Sequence, residues 1–508
     1  MKRIFLYTII IGFFVSSCSP AGKTGSADDA RININFIQVN DVYEIAPLSG
    51  GKEGGLAKVA SIKKKYLQQN PNTFLLMAGD FVSPSVYNSL KYQGKNIRGK
   101  QMIEAMNAAG FDLAIFGNHE FDIKESELQE RINESGFQWI ASNTYHRVNG
   151  TVVSFAKNNP AGNAPFPVSY IKTITDADGT TARIGFIGLT LPFNKAGYVS
   201  YTDALSVAKI LYERLKDSTD AVVAITHQTM EEDEILAREI PGLAAIMGGH
   251  EHDQRYEEIG NVPITKAMAN ARTAFVVTLS VNKKRKKVKV FTRVELLDET
   301  VALDSATTAV VNRWEGIAES SYASLGFDAK KIVIKTGESL DGREAEIRSR
   351  PTNLTRLIIT AMTDAAPHAD VVIMNAGSIR VDDMLHMPVT QYDIIRTLPF
   401  GGGIREVDIK GSLLQKILDA GLKNNGSGGL LHLNKEVSFN TKTNSWDIKN
   451  TAINPSKTYR VALPDFLLTG GEANLGFLKQ GNTEIVKTWP DASPDIRLAI
   501  IRYLEKRN

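Results

Sequence analysis

Residues 113–122 read Leu113-Ala114-Ile115-Phe116-Gly117-Asn118-His119-Glu120-Phe121-Asp122, four apolar residues followed at once by a glycine and a run of polar and ionisable groups. A short, fully apolar run bounded by glycine reads as a buried strand. The glycine lets the backbone turn sharply, so the side chains behind it can point at a common centre past the strand's C-terminal end. Working outward, the same pattern recurs. Residues 34–39 run into Asn40-Asp41, 73–78 into Gly79-Asp80, 221–225 into Thr226-His227, and 244–247 into Gly248-Gly249-His250-Glu251-His252. An Asp behind a single strand is ordinarily a turn or cap residue, and a single histidine is ordinarily a hydrogen-bonded structural group. Five apolar runs, each delivering Asp, Asn or His just past its end, describe instead a ligand crevice at the carboxyl ends of α/β strands. His250 and His252, at i and i+2 on an extended chain, are expected to point to one side.

Another buried strand is read at 184–189 and helical segments at 55–68, 102–109 and 126–135, which makes the fold class α/β to about residue 297. Residues 300–322 turn polar, alanine-rich and helical, as an interdomain helix would. A second α/β block follows, with a helix at 353–365 and a strand at 370–374. The expected division is a signal peptide over 1–17, a tether over 18–30, a first domain over 31–300, a linker helix over 301–328 and a second domain over 329–508. A chain of 508 residues is too long for one core, and 43% hydrophobic with 23% charged residues is ordinary for globular domains. A net charge of +3 gives no reason to expect a nucleic-acid partner. The one basic run, Lys283-Lys284-Arg285-Lys286-Lys287, lies between valine-rich segments and reads as a solvated hairpin tip.

The N-terminus speaks to location. Met1-Lys2-Arg3 precedes an apolar run over 4–15, too short to span a bilayer but suited to a signal-peptide core. Val15-Ser16-Ser17-Cys18 resembles a bacterial lipoprotein cleavage box, with Cys18 as the lipidated first residue of the mature chain and small polar residues after it as a tether. The expectation is an exported monomer held to a membrane only by this anchor, periplasmic or at the cell surface, with a bacterial outer membrane as the site. Cys18 is also the only cysteine, so no internal disulfide or thiolate site can form. Any metal must be held by imidazole, carboxylate or amide groups.

In order, Asn-Asp, Gly-Asp, Gly-Asn-His-Glu-Phe-Asp, Thr-His and Gly-Gly-His-x-His resemble the motifs of the calcineurin-like metallophosphoesterases, and within them the 5′-nucleotidase family, which includes UDP-sugar hydrolases and 2′,3′-cyclic-nucleotide phosphodiesterases. Thr352-Asn353-Leu354, Asn375-Ala376-Gly377-Ser378-Ile379-Arg380, Leu398-Pro399-Phe400-Gly401-Gly402, Asp465-Phe466 and Gly470-Gly471-Glu472 are similar to that family's C-terminal substrate domain. The resemblance implies a β-sandwich flanked by helices, a linking helix and a second α/β domain that binds substrate. It implies two divalent metals, Zn, Mn, Co or Fe, with Asp80 bridging, Asp41 and His252 on one ion, and Asn118, His227 and His250 on the other. Such a pair makes a bound water acidic and clamps phosphoryl oxygens for in-line attack by a metal-bound hydroxide, so no protein nucleophile is needed. His119 would face the phosphoryl group, and Asp122 would hold its other ring nitrogen. Phe400 and Phe466 would stack on the base. Arg380, Arg348 and Arg343 would meet phosphate or ribose oxygens, and Asn375 and Glu472 would hydrogen-bond the nucleoside.

Two positions depart from the family pattern. Tyr43 stands where the first motif carries a histidine ligand of the Asp41 metal. A phenol is a poor ligand for Zn²⁺ or Mn²⁺ near neutral pH, while Fe³⁺ can hold a phenolate, so this site is expected to be weaker, to hold iron, or to be completed by water. Gly470-Gly471-Glu472-Ala473-Asn474-Leu475-Gly476 is longer than the family's usual Gly-Gly-Asp-Gly. The residues thus leave open 5′-nucleotidase, cyclic-nucleotide phosphodiesterase or 3′-nucleotidase, and UDP-sugar hydrolase activity. They also leave open a non-catalytic, nucleotide-binding surface lipoprotein.

Overall fold

A computed structural model of the chain describes residues 29–507 except 161, 194, 195 and 480. The signal-peptide expectation, Cys18 and all but the last two residues of the tether lie outside the described residues.

Strand Arg31–Val39 shows how the first domain is built. Its side chains alternate, so Ile32, Ile34 and Phe36 enter one apolar cluster while Ile37 and Val39 enter another on the opposite face. The first cluster is the interior between two six-stranded sheets. One sheet runs, in spatial order, Lys287–Leu296, Thr273–Asn282, Arg31–Val39, Thr73–Ala78, Leu113–Ile115 and Gln138–Ile140. The other runs Tyr170–Thr175, Thr181–Thr190, Ala221–His227, Ala245–Gly249, Val262–Lys266 and Arg255–Ile259. Phe36 of the first sheet meets Phe186 of the second edge-to-face at 5.5 Å. The outer face of the first sheet is covered by Leu56–Gln69, Lys100–Ala109 and Glu125–Glu134, and that of the second by Ala204–Leu215 and Met230–Glu239. The result is the helix-flanked sandwich.

Register sets where the strands stop. Val39 pairs with Met77, Ala78 with Ile115, and His227 with Gly249, so five parallel strand ends from both sheets meet at one edge of the sandwich. Gly248-Gly249 completes its strand instead of following it, and His227 is the last residue of its own. The basic run joins Thr273–Asn282 to Lys287–Leu296 as a hairpin.

Helix Ser305–Ser324 begins at Asp304, whose carboxylate caps Thr307 N–H, and it packs on Leu56–Gln69 and Lys100–Ala109. Beyond it, a five-stranded sheet runs Leu431–Leu433, Val371–Asn375, Thr458–Pro464, Ile404–Lys410 and Ile485–Thr488. Gly411–Lys423 shares an apolar cluster with this sheet, while Asn353–Ala365 and Ile496–Glu505 pack together in the cluster that continues into the first domain. Polar contacts also cross between the halves: Arg272 donates twice to Asp383, at 2.7 and 2.6 Å, and Glu53 pairs with His386 at 3.0 Å. Among the described residues, no helix is long and apolar enough to cross a membrane.

Candidate metal centre

Strand ends place Asp41, Asp80 and Asn118 from the first sheet opposite His227 and His250 from the second. The turns are tight enough to demand special backbone. Asp41 and Asp80 sit at φ 52° and 56°, a left-handed region costly for a residue with a Cβ, and His250 at φ 88°. A Cβ on Gly79 would come 2.6 Å from His227 Nδ1, and one on Gly249 would come 2.5 Å from Ala78 O. Only glycine permits this approach. His250-Glu251-His252 therefore corrects the extended-chain expectation: the positive φ of His250 breaks the strand, and the two imidazoles reach the site from a bend.

Asp41, Asp80 and His227 are fully buried and bring ligand atoms together in one group. Asp80 Oδ2 lies 3.1 Å from His227 Nε2, and Asp41 Oδ1 lies 3.9 Å from it. His250 stacks edge-on to His227 at 5.4 Å between ring centres, and its backbone N–H donates to Asp41 Oδ2 at 2.9 Å. His252 Nε2 is 3.5 Å from Asp41 Oδ1. Tyr43 points into the middle, its hydroxyl 3.3 Å from both Asp41 Oδ1 and Asp80 Oδ2 and 3.1 Å from His252 Nε2.

The donor set asks for a cation. His227 Nδ1 hydrogen-bonds Ala78 O at 2.8 Å, which turns Nε2 into the cluster, 3.1 Å from Asp80 Oδ2, where it can serve a cation as a ligand. Asn118 Oδ1 is buried and has no hydrogen-bond partner among the described residues. A buried acceptor left unpaired costs about 1–3 kcal/mol, and two buried carboxylates brought to one imidazole repel each other unless a cation lies between them, so the group fits a metal. His252 Nδ1 is likewise occupied, by Asp382 O at 2.8 Å, so its Nε2 faces the site. Burial works against charging His227, but the Asp80 and Asp41 carboxylates pull its pKa up to about 9. Burial opposes ionisation of Asp80 as well, and His227 and His119 nevertheless hold it far below the usual carboxylate range. For His250, burial and the neighbouring His227 both push the pKa down, which keeps its imidazole neutral, the form that binds metals.

His119 follows Asn118, and its N–H donates to Asp80 Oδ1 at 2.8 Å. Its Nδ1 lies 2.6 Å from Asp122 Oδ2, and its side chain is part exposed at the mouth of the site. Burial lowers the imidazole pKa, but Asp80 and Asp122 carry it up to about 9.

Three supporting residues escaped the sequence reading. Glu120 accepts N–H groups from Asp80, Phe81, Val82 and Gly117, tying two strand-end loops together, and burial followed by Asp80 raises its pKa to about 7. Lys266, wholly buried, donates to Gln228 O and Gly249 O and pairs with Glu251 and Asp233. Asp382, from the second domain, holds His252. Glu120 lay inside a quoted motif and could have been found there; Lys266 and Asp382 carry no local signal.

A cavity of about 320 Å³ opens beside the centre, and Tyr43 and Asp122 of the first domain face Arg380 and Phe400 of the second across it. Phe400 is 74% exposed and Phe466 44%, unusual for rings of this size. Phe466 lies against Gly471, and its loop is tied to the Phe400 loop by Gly403 N–H donating to Asp465 Oδ2 at 3.1 Å. Asn375 donates to Glu472 at 2.7 Å. Of the expected substrate residues, Arg380 and Phe400 line this cavity, while Arg343, Arg348, Asn375, Phe466 and Glu472 lie outside its lining; Arg343 and Arg348 pair locally with Asp341 at 2.8 Å and Glu344 at 2.5 Å.

Family comparison agrees with this geometry. The model for calcineurin-like phosphoesterases matches residues 34–254, and that for the 5′-nucleotidase C-terminal domain matches residues 332–479. The chain belongs to the 5′-nucleotidase family. As a member it is a metallophosphoesterase, a phosphoric ester hydrolase of the 5′-nucleotidase type. It is 24% identical over 474 residues to the 5′-nucleotidase of Bos taurus, covering 82% of this chain and 78% of that one. In fold it is similar to a 5′-nucleotidase precursor from Thermus thermophilus, with TM-score 0.63, 21% identity, and 94% and 97% of the two chains covered. It is also similar to a sulfate thiohydrolase from the same organism, with TM-score 0.60, 15% identity, and 93% and 94% covered.

Proposed function

We propose that this family member is an exported, two-metal nucleotidase that removes the 5′-phosphate of nucleoside monophosphates. The observation that carries the metal reading is the convergence of the buried Asp41 and Asp80 carboxylates on His227 Nε2. Asp80 would bridge, with Asp41 and His252 on one side and Asn118, His227 and His250 on the other. Bound there, divalent ions supply a water acidic enough to attack phosphorus near neutral pH.

The chain's own groups do the rest. Asp122 holds His119 through Nδ1, so Nε2 is the atom turned to substrate. Held there by Asp122, the ring would neutralise phosphoryl charge and donate a proton to the departing alkoxide. Arg380 faces the same cavity and would take phosphate or ribose oxygens in a forked contact. The exposed rings of Phe400 and Phe466 would clasp the base, and Asn375 with Glu472 would meet the nucleoside. The location part of the proposal, a lipidated Cys18 behind a signal peptide, rests on the sequence, as does the division of the chain at residues 300 and 329.

The test is phosphate release from AMP by purified protein, after chelation and after return of Mn²⁺, Zn²⁺, Co²⁺ or iron, in parallel with 2′,3′-cyclic AMP, 3′-AMP and UDP-glucose. Release from AMP that needs metal, fails in Asp80→Asn and exceeds that from the other esters is expected. Undiminished release after chelation, or none with any metal, overturns the reading.

A further inference from the structure

A second cavity, of about 430 Å³, lies on the other side of the Tyr392 region from the nucleotide cavity, where helix Ser305–Ser324 meets both domains. Its volume is in the range of small-molecule sites. Much of its wall is apolar, from Leu48 and Ala57 of the first domain, Val311 and Ala318 of the helix, and Ile332 of the second domain.

Its polar groups are few and unequal. Tyr322 lines the cavity, is 3% exposed, and its hydroxyl is buried without a hydrogen-bond partner among the described residues. The lining carries three carboxylates, Glu315, Glu319 and Asp393, against one cation, Lys330. Lys330 is taken by Glu319 at 2.6 Å. Asp393 is taken by Arg396 at 2.9 Å and by the N–H and hydroxyl of Thr390, each at 2.8 Å. Among the described residues, Glu315 is left as the carboxylate of this lining without an ion-pair partner of its own, beside an unsatisfied phenol and apolar walls. Nucleotides and other anions are repelled by such a lining. A compact apolar group bearing one ammonium satisfies it, with the ammonium at Glu315 and an acceptor or ring face at the Tyr322 hydroxyl.

We propose that this interdomain cavity is a binding site for a small organic cation, an aryl or alkyl amine, separate from the nucleotide site. The cavities share a wall. Tyr392 lines the amine cavity and hydrogen-bonds Glu44, which lines the nucleotide cavity; Asp393 and Arg396 make the same crossing as an ion pair. An occupant is therefore placed to be felt at the nucleotide site without touching it.

The test uses the full chain with divalent metal and three probes that share a ring and differ in charge: benzylamine, benzyl alcohol and benzoate, titrated by calorimetry with and without saturating adenosine, which carries no phosphate to release. Benzylamine is expected to bind in the millimolar range usual for so small a ligand, benzyl alcohol more weakly and benzoate not at all. Glu315→Gln should weaken benzylamine about tenfold, the loss of one charge-assisted bond, and leave benzyl alcohol unchanged. Tyr322→Phe, which keeps the ring's packing, should weaken both neutral and cationic probes. No benzylamine binding, equal binding of benzoate, unchanged affinity in Glu315→Gln, or complete displacement by adenosine would each overturn the proposal. None of these readouts depends on phosphate release, so the site stands or falls apart from the nucleotidase reading.

Discussion

Lys266→Met is the substitution whose consequence can be worked furthest. The ammonium is 0% exposed and makes four contacts: Glu251 at 2.5 Å, Asp233 at 3.0 Å, Gln228 O at 2.6 Å and Gly249 O at 2.9 Å. Methionine has nearly the same length and none of the charge, so packing is kept while Asp233 and Glu251 lose their counter-ion. Removing one partner of a buried pair costs about 3–5 kcal/mol, so a loss near 4 kcal/mol is expected. With a urea slope of about 3 kcal/mol/M, the unfolding midpoint should fall by roughly 1.3 M at pH 7.5. The pH dependence identifies the cause. Burial raises the Asp233 pKa from 3.8 to about 6 even though Lys266 pulls it down, and without Lys266 it rises further. An acid whose folded pKa is raised stabilises the fold when protonated and loses that contribution as pH climbs from its unfolded to its folded value. The deficit of Lys266→Met should therefore shrink by pH 5, where Asp233 takes up a proton. Lys266→Met with Asp233→Leu should recover most of the loss at pH 7.5. Urea unfolding followed by fluorescence reads all three. A midpoint shift below about 0.3 M, or a deficit unchanged at pH 5, refutes the account. Because Glu251 lies between His250 and His252, the single variant should also bind Mn²⁺ or Zn²⁺ more weakly.

Tyr43→His places an imidazole where the phenol stands within 3.3 Å of Asp41 and Asp80, and should tighten Zn²⁺ or Mn²⁺ at the Asp41 site about tenfold by equilibrium dialysis; equal affinity would put Tyr43 outside the coordination sphere. Asp122→Asn keeps the shape of the 2.6 Å contact to His119 but not its charge, and should lower kcat about a hundredfold with metal content unchanged. Phe400→Ala and Phe466→Ala, each at an exposed ring, should raise KM for AMP about tenfold while sparing kcat, as expected from the loss of about 1–3 kcal/mol of stacking; a fall confined to kcat would remove the rings from substrate binding. His386→Gln tests an interdomain pair by pH. The bond to Glu53 raises the His386 pKa, so its stabilisation is complete below about pH 6.5 and is lost as pH rises through the raised value. Glu53, held at about 2 by His386 and Arg272 against burial, loses its share only as pH falls below about 4. The variant should melt lower than wild type at pH 5.5 and level with it at pH 9.

How much of this could be read from the chain depends on distance along it. The strand ends were legible because each carries its own punctuation: an apolar run, then within a few residues the functional side chain, with glycine just before it at Asp80, Asn118 and His250. The helix at Asn353–Ala365 was legible to the residue because Thr352 caps it and its apolar face recurs with helical period. Periodicity does not say which sheet a strand joins, and here the ends come from two sheets, so the meeting of Asp80 with His227 is a property of the sandwich. His250-Glu251-His252 was legible as a motif but not as a geometry, since the alternation rule holds only while the chain stays extended and φ 88° ends it.

What was least visible was the support, and the reason is physical. Lys266 ends an otherwise ordinary strand, and its partners lie as far as 38 residues away in sequence. Asp382 is 130 residues from the histidine it holds. A ligand residue must present a particular atom to the ion, which limits the residue types that can serve and leaves a readable pattern. A supporting residue need only offer some carbonyl, carboxylate or ammonium at the right place, which many residue types can do. His252 shows the consequence. Every candidate ligand of this centre comes from the first domain, yet the tautomer that turns His252 Nε2 toward Asp41 is set by a backbone carbonyl of the second. The two domains are therefore joined at the candidate metal centre as well as across the cavity beside it, so a change in their relative position would bear on His252 as well as on that cavity.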